Sequence, residues 1–162
     1  MSDRMSENKI DLSPFCMRAR GFLEQQRIDD ALALYGDVLQ VDPDNALALA
    51  DRGTVYAMLK KFDLALGDLE RAFALGYADV TAYCTIGNIF FQLKQPQKSL
   101  EYFNKAIELD ASYPFAYYNR SNVLHELGDD KAAIADLEKC LVFNPDENMK
   151  QLIVRRLDLL RA

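Results

Sequence analysis

A 34-residue periodicity constrains this chain more than any other feature of its sequence. The segments DPDNA at 42–46 and NPDEN at 144–148 are nearly identical and lie 102 residues apart, which is three times 34. Division at that spacing brings four blocks into register, namely 12–45, 46–79, 80–113 and 114–147. Such self-similarity is the signature of a repeat architecture. With each block numbered from 1 to 34, two positions always hold small residues: Ala19, Gly53, Gly87 and Ser121 at position 8, and Ala31, Ala65, Ser99 and Ala133 at position 20.

Each block predicts two helices joined by a tight turn. Apolar or small residues at positions 4, 8 and 11, and again at 20, 24 and 27, have the spacing of one helix face. Turn signals such as Gly128-Asp129 and Gln95-Pro96 separate the halves, because Gly favours helix C-termini while Asp and Pro favour N-termini. We therefore expect no sheet and nine helices, near 13–25, 29–41, 47–59, 63–75, 81–93, 97–109, 115–127, 131–143 and 148–160.

The pattern resembles the tetratricopeptide repeat (TPR) family over residues 12–147. The stretch YNRSNVLHELGDDKAAIADLEKCLVFNP at 118–145 closely matches that family's order of aromatic, small and proline positions. The resemblance implies an all-α, right-handed helical-hairpin solenoid of four TPR repeats with a C-terminal capping helix at 148–162. It also implies a non-enzymatic scaffold for protein–protein interaction, in which the first helices line a concave groove. The polar segment 1–11 before the repeats is expected to be disordered.

The resemblance places positions 2, 5, 6, 9, 12 and 13 of each first helix on the groove surface. Position 9 carries two asparagines in line, and an asparagine amide can donate to and accept from a peptide backbone at once. Apolar side chains beside them would form pockets for anchoring residues. We therefore predict a site for another protein or peptide, bound as a helix or as an extended segment, that comprises Arg20, Thr54, Met58, Cys84, Asn88, Phe91, Tyr118, Asn122 and His125.

Two other functions remain open at this point, namely a self-associating assembly scaffold and a small cytoplasmic TPR chaperone. One specialisation of the family grips a C-terminal carboxylate with lysine and arginine at set groove positions. The sequence supplies those cations in neither of the two possible registers, the first of which gives Cys16, Asp51 and Thr81. Capture of a chaperone tail is therefore not expected.

Composition argues against several other classes of function. A net charge of −6 and a pI of about 4.8 disfavour nucleic acid and anionic membrane surfaces as partners. No signal peptide and no apolar run of ~18 residues is visible, and three scattered cysteines indicate reduced thiols. We expect a cytoplasmic protein without membrane insertion. Because His125 is the only histidine and no nucleophile accompanies it, we predict no catalytic residue, no metal site and no cofactor.

Comparison of the blocks predicts two ion pairs between helices of the same block. Positions 7 and 23 hold Arg52 and Asp68 in the second block and Arg120 and Asp136 in the fourth. The third block changes both positions together, to isoleucine and tyrosine, which indicates that an apolar contact replaces the pair. The first block breaks the rule, because Arg18 stands opposite a leucine there and is expected to face solvent or a partner.

The segment 148–162 predicts a capping helix that departs from a true repeat. Its apolar residues at helical spacing form one stripe. If it continued the stack as a fifth first helix, positions 4, 8 and 11 would be the polar Gln151, Arg155 and Asp158, so the helix must be rotated or shifted. A homodimer through this helix or through the ends of the repeat stack is a further expectation. The predicted stripe consists of Met149, Leu152, Ile153, Leu157 and Leu160.

Overall fold

A computed structural model describes residues 10–161 as an all-α chain, with no strand in that range. Every helix begins and ends within one residue of the bounds that the sequence predicts. Residues 1–9 of the segment predicted to be disordered lie outside the described residues. The helices are α1 Ser13–Glu24, α2 Ile28–Val41, α3 Ala46–Met58, α4 Phe62–Ala74, α5 Val80–Gln92, α6 Pro96–Leu109, α7 Pro114–Glu126, α8 Asp130–Val142 and α9 Glu147–Arg161.

Short polar side chains fix where several of these helices begin. Asn45 accepts a hydrogen bond from the backbone N–H of Ala48 at 3.0 Å, which satisfies one of the free donors at the start of α3. Asp79 does the same for α5, accepting from the N–H groups of Thr81 and Ala82 at 2.8 and 3.1 Å. The joints between blocks therefore set the point at which each new first helix starts.

The eight helices of the four blocks form a stack of hairpins. Within a block the first helix packs on the second, and successive first helices α1, α3, α5 and α7 also pack on one another. The small columns allow this close approach, because a Cβ atom at Gly53 would lie 2.8 Å from Cγ of Leu69 and one at Gly87 would lie 2.8 Å from Cε1 of Phe103. The all-α hairpin solenoid is confirmed, and its apolar core runs between the two layers of helices.

Both predicted ion pairs are present. Arg52 donates to the two carboxylate oxygens of Asp68 at 2.8 and 2.7 Å, and Arg120 donates to both oxygens of Asp136 at 2.7 Å. Arg120 also donates to the amide oxygen of Asn104, at 2.7 Å. In the third block the isoleucine and tyrosine at these positions belong to one apolar cluster, as the column comparison predicts.

The last helix, α9, is turned relative to the first helices of the blocks. The helices α3, α5 and α7 all bury their positions 3, 8 and 10. If residue 148 is counted as position 1, the buried residues of α9, which are Met149, Ile153 and Leu157, stand at positions 2, 6 and 10. Positions 2 and 6 line the groove in the first helices, so in α9 that side of the helix faces the core. The prediction that Leu152 belongs to the buried stripe is wrong, because this side chain lies on the outer side and is 49% exposed.

Candidate functional site

The candidate site is the groove surface formed by α1, α3, α5 and α7. Two depressions occur along it, with volumes of about 320 Å³ and about 200 Å³. The larger lies over α1, α3 and the start of α5, and the smaller lies between α3 and α5. Thr54 lines both of them, which makes the two depressions parts of one surface.

An ion pair bridges α1 and α3 in the larger depression. Arg20 donates from Nε and Nη2 to the two oxygens of Asp51, each at 2.8 Å, and Tyr35 donates its hydroxyl to Asp51 at 3.3 Å. The hydrogen bonds to Asp51 raise the pKa of Arg20 above its usual range, and burial does the same for the pKa of Tyr35. Arg20 thus lines the groove as predicted, but much of its hydrogen-bonding capacity serves the contact between two blocks.

Threonine side chains in the middle of the groove also have partners of their own. The Thr54 hydroxyl donates to the Ala50 carbonyl at 2.9 Å, and the Thr85 hydroxyl donates to the Thr81 carbonyl at 2.9 Å. Only the acceptor lone pairs of these hydroxyls remain for a ligand. Polar groups on α1 and α3, and the Thr85 hydroxyl on α5, are therefore largely satisfied within the chain.

The smaller depression brings three predicted site residues together. Thr54, Met58 and Asn88 line it, with Met58 64% exposed at its rim. A flexible methionine at the edge of a small apolar depression can adapt its shape to different side chains. This part of the groove can therefore receive one side chain of a bound segment.

Asparagine amides between α5 and α7 have no partner in the described part of the chain. The side chains of Asn88, Asn119 and Asn122 are partly buried, yet none forms a side-chain hydrogen bond within residues 10–161. Asn119, at position 6, was not among the predicted site residues. The Arg20–Asp51 pair shows that position 9 of one block faces position 6 of the next. The opposite charges of Arg20 at position 9 and Asp51 at position 6 are the sequence signal that could have shown that these two positions face each other.

The predicted aromatic residues of the groove are partly used by the core. Phe91 packs against the cluster that contains Phe103 and Val123, and Tyr118 packs against the cluster formed by α7, α8 and α9. Each is only partly buried, so part of each ring remains available to a ligand. His125 lies at the end of α7, where its Nδ1 contacts the carboxylate of Asp130, the first residue of α8.

Cys84 does not line the groove, which corrects the sequence prediction. It is only 5% exposed and packs with Phe103 in the core, and burial raises the pKa of its thiol to about 12. Position 5 is buried in three of the four blocks because the residues there, Cys16, Ala50 and Cys84, are small enough to lie under the neighbouring helix. Tyr118 at the same position is too large for that space and stays partly exposed.

Residues 10–161 contain no group of three or more His, Cys, Asp and Glu side chains that could hold a metal ion. The helices of that range are all too short or too polar to cross a membrane.

Comparisons with known proteins agree with this geometry. Family models described as tetratricopeptide repeat match residues 16–79, 80–113 and 116–147. The human mitochondrial import receptor subunit TOM70 is 24% identical over 140 residues, covering 83% of this chain and 23% of that protein. RNA polymerase II-associated protein 3 of Xenopus laevis is 30% identical over 95 residues, covering 59% of this chain and 14% of its own length. The chain thus spans less than a quarter of the length of these curated relatives.

Solved structures share the fold. PilW, a type IV pilus biogenesis factor, superimposes with a TM-score of 0.75 at 24% identity, covering 91% of this chain and 73% of PilW. A chain of the APC/C hetero-tetramer Cut9–Hcn1 gives a TM-score of 0.80 at 16% identity, covering 89% of this chain and 29% of that one. Repeat period, hairpin stack and family models agree, and the chain belongs to the tetratricopeptide repeat family.

Proposed function

We propose that this chain is a non-enzymatic protein-interaction module that binds an extended polypeptide segment in its groove, across α5 and α7. The observation that carries the proposal is the set of three partly buried amides, Asn88, Asn119 and Asn122, without hydrogen-bond partners in residues 10–161. A polar group that is half removed from water gains most from a ligand that supplies its missing hydrogen bonds.

An extended ligand suits these amides better than a helical one does. A helix satisfies its own backbone groups, whereas an extended segment presents free N–H and C=O groups along its length. Each amide offers both a donor and an acceptor, so a row of amides can pair with such a backbone. Side chains of the segment would then enter the depression beside Met58 and contact Phe91 and Tyr118.

The first half of the groove contributes less to this binding. Arg20 and Asp51 neutralise each other, and the hydroxyl of Thr54 donates to the Ala50 carbonyl. We therefore place Arg20 and Thr54 at the edge of the binding site. His125 sits at the opposite edge, beside Asp130.

The names of relatives do not define a particular partner for this chain. TOM70 is an import receptor subunit and the other relative is associated with RNA polymerase II, but each match covers a small part of the protein concerned. A small TPR chaperone is a specific form of the same proposal. The acidic composition supports a protein partner over nucleic acid, and three free thiols support a reducing, cytoplasmic location.

Selection from a random peptide display library on the purified chain, followed by calorimetry with a selected peptide, tests the groove. Asn88→Ala combined with Asn122→Ala should weaken binding about tenfold or more, since two hydrogen bonds to the ligand are lost. Asn148→Ala removes an amide of the same kind from the exposed start of α9 and should leave affinity unchanged. Equal affinities for wild type and the double variant would exclude the amide site.

The dependence of peptide affinity on salt concentration distinguishes this uncharged site from a site formed by charged side chains. Few fixed charges lie between α5 and α7, so the dissociation constant should change little between low and physiological salt. A steep loss of affinity with salt would instead point to the charged residues elsewhere on the chain.

A further inference from the structure

The outer surface of the first block differs from the corresponding surfaces inside the stack. At position 4, Leu49 and Tyr117 are buried beside the second helix of the preceding block, next to Leu39 and Ile107 respectively. Phe15 occupies the same position in the first block and is 45% exposed, because no described helix lies before α1. The first block therefore presents a stacking surface that the described residues leave uncovered.

This surface, here called the block-one end face, contains an apolar depression of about 140 Å³. Asp37 is its one charged lining residue and has neither an ion pair nor a hydrogen bond within residues 10–161. An apolar cavity of ~150 Å³ can hold a benzene molecule, so the depression has room for one aliphatic side chain. The lining residues are Leu12, Phe15, Leu34, Asp37, Val38 and Val41.

The outer side of α9 has the complementary chemistry. Leu152 and Leu159 are 49% and 71% exposed and lie two turns apart on one side of the helix. Arg155 and Arg156 lie between them, and neither forms an ion pair within the described range. The Nε–H of Arg156 is buried without an acceptor, so this guanidinium is left short of hydrogen bonds.

The two elements that carry these surfaces also have opposite net charge. Residues 12–45 contain three basic and six acidic side chains, which gives −3. Helix α9 contains four basic and two acidic side chains, which gives +2 in a chain whose net charge is −6. Opposite potentials of this kind favour the encounter of two such ends over the encounter of two equal ones.

We infer that copies of this chain bind head to tail, with α9 of one copy seated on the block-one end face of the next. Leu159 enters the 140 Å³ depression, Leu152 covers Phe15, and Arg155 and Arg156 approach Asp37. The inserted helix takes the place that a preceding second helix takes inside the stack. Because the two surfaces are different, each bound copy leaves one surface of each kind free at the ends of the row, and further copies add as the concentration rises.

Complementation between two blocked variants tests this arrangement. Val41→Glu blocks the end face and Leu159→Glu blocks α9, and both residues are exposed enough to accept the change without loss of fold. By light scattering after size exclusion, the mass of the wild type should rise continuously with concentration, while each variant alone stays monomeric. A one-to-one mixture of the variants should reach twice the monomer mass and go no further, because one intact surface of each kind remains.

Control variants test whether association depends on the block-one end face and α9 rather than on other surfaces of the chain. Leu64→Glu alters an exposed leucine of α4, away from both ends, and should behave as wild type. Asp37→Lys should weaken association, and combination with Arg155→Glu and Arg156→Glu should restore it. Asn88→Ala should have no effect, because the contact is independent of groove binding.

Three outcomes would overturn the inference. The first is a wild type that is monomeric at every concentration. The second is a mixture of Val41→Glu and Leu159→Glu that stays monomeric while the wild type associates, or one of these variants that dimerises by itself, which indicates a contact between like ends. The third is a full chain that stays monomeric while a chain without residues 1–9 associates, which indicates that the end face is covered by the chain itself.

Discussion

Position 15 of every block has a left-handed backbone conformation, although only one block has glycine there. The φ angles are 60° at Gln26, 57° at Lys60, 59° at Lys94 and 81° at Gly128. The tight turn between the two helices of a block requires this geometry, and a side chain other than glycine pays for it with roughly 1–2 kcal/mol of steric strain. Three of the four turns are therefore strained in the native chain.

Glycine at a strained turn should stabilise the protein. We expect Lys60→Gly to raise the free energy of unfolding by up to about 1 kcal/mol, because relief of strain exceeds the added entropy of the unfolded chain. Gly128→Ala should lower it by about 1 kcal/mol or more. Lys105→Gly, inside α6, is the contrasting change and should cost about 1 kcal/mol. Urea unfolding of the three variants measures these differences, and a destabilised Lys60→Gly would contradict the argument.

In the fourth block, removal of one partner of the Arg120–Asp136 ion pair should destabilise the protein more than replacement of both partners by apolar residues. The side chain of Asp136 is 8% exposed and that of Arg120 is 23% exposed, so Asp136→Ala leaves a largely buried guanidinium without its carboxylate. We expect a loss of about 3 kcal/mol in unfolding free energy. Arg120→Ile combined with Asp136→Tyr copies the third block and should recover most of that loss. A double variant as unstable as Asp136→Ala would show that the two blocks are not equivalent at this contact.

The buried thiols should make stability fall at alkaline pH. Burial raises the pKa of Cys84 to about 12 and the pKa values of Cys16 and Cys140 to about 11, against 9.0 for an unperturbed thiol. Between pH 9 and about 11 the unfolded chain releases thiol protons that the folded chain retains, so unfolding becomes easier as pH rises. Replacement of the three cysteines by alanine should flatten this slope in guanidinium titrations. An unchanged slope would assign the effect to the tyrosines.

At the scale of the helix, α9 is rotated about its axis relative to the first helices, so the side that would otherwise line the groove is buried in the core. Ile153 is fully buried, and Ile153→Ala should cost about 3 kcal/mol because it removes packed methyl groups and leaves a cavity. Its neighbour Leu152 is half exposed, and Leu152→Ala should cost under about 1 kcal/mol. Thermal unfolding of the two variants compares adjacent positions of one helix. Equal losses would contradict the observed rotation of α9.

Helix bounds were predictable because the four blocks are in register, so a cap or turn that is clear in one block locates the same boundary in the others. Asn45, Asp79 and Asp129 accept backbone hydrogen bonds at helix starts, as short polar residues at such places should. The rotation of α9 was foreseen from its polar positions, but its direction was not, since the stripe containing Leu152 and Ile153 fits more than one orientation. Only packing against α8 decides which of the two is buried.

The sequence was sufficient to predict which repeat positions line the groove, but not which individual residues at those positions are exposed and free of partners. Position 9 does line the groove, yet Arg20 is bridged to Asp51, and the sequence alone did not show that these two columns face each other. The resemblance predicts Cys84 in the groove because it makes position 5 a groove position, whereas the small residues found there lie beneath the neighbouring helix. Side-chain volume, which differs between blocks at the same position, determined this outcome.

At the scale of the whole molecule, the two halves of the groove are held together differently. Arg20 and Asp51 join α1 to α3 with two hydrogen bonds of 2.8 Å, and Tyr35 supports the same carboxylate. Between α5 and α7 the described ion pair is that of Lys94 and Glu126, at 3.2 Å on the exposed rim, where such pairs contribute about 1 kcal/mol or less.

The Arg20–Asp51 bridge therefore distinguishes the two halves of the groove, and we expect them to differ in stiffness. The spacing of α1 and α3 is held by a bidentate contact, whereas the described residues place no ion pair between α5 and α7 other than the one on the exposed rim. Hydrogen exchange should show α7 opening more readily than α3 in the free chain, and Arg20→Ala should remove much of that contrast. If a segment binds across α5 and α7 as proposed, it meets the half of the groove that has no such bridge, and adjustment to related sequences there leaves the spacing of α1 and α3 unchanged.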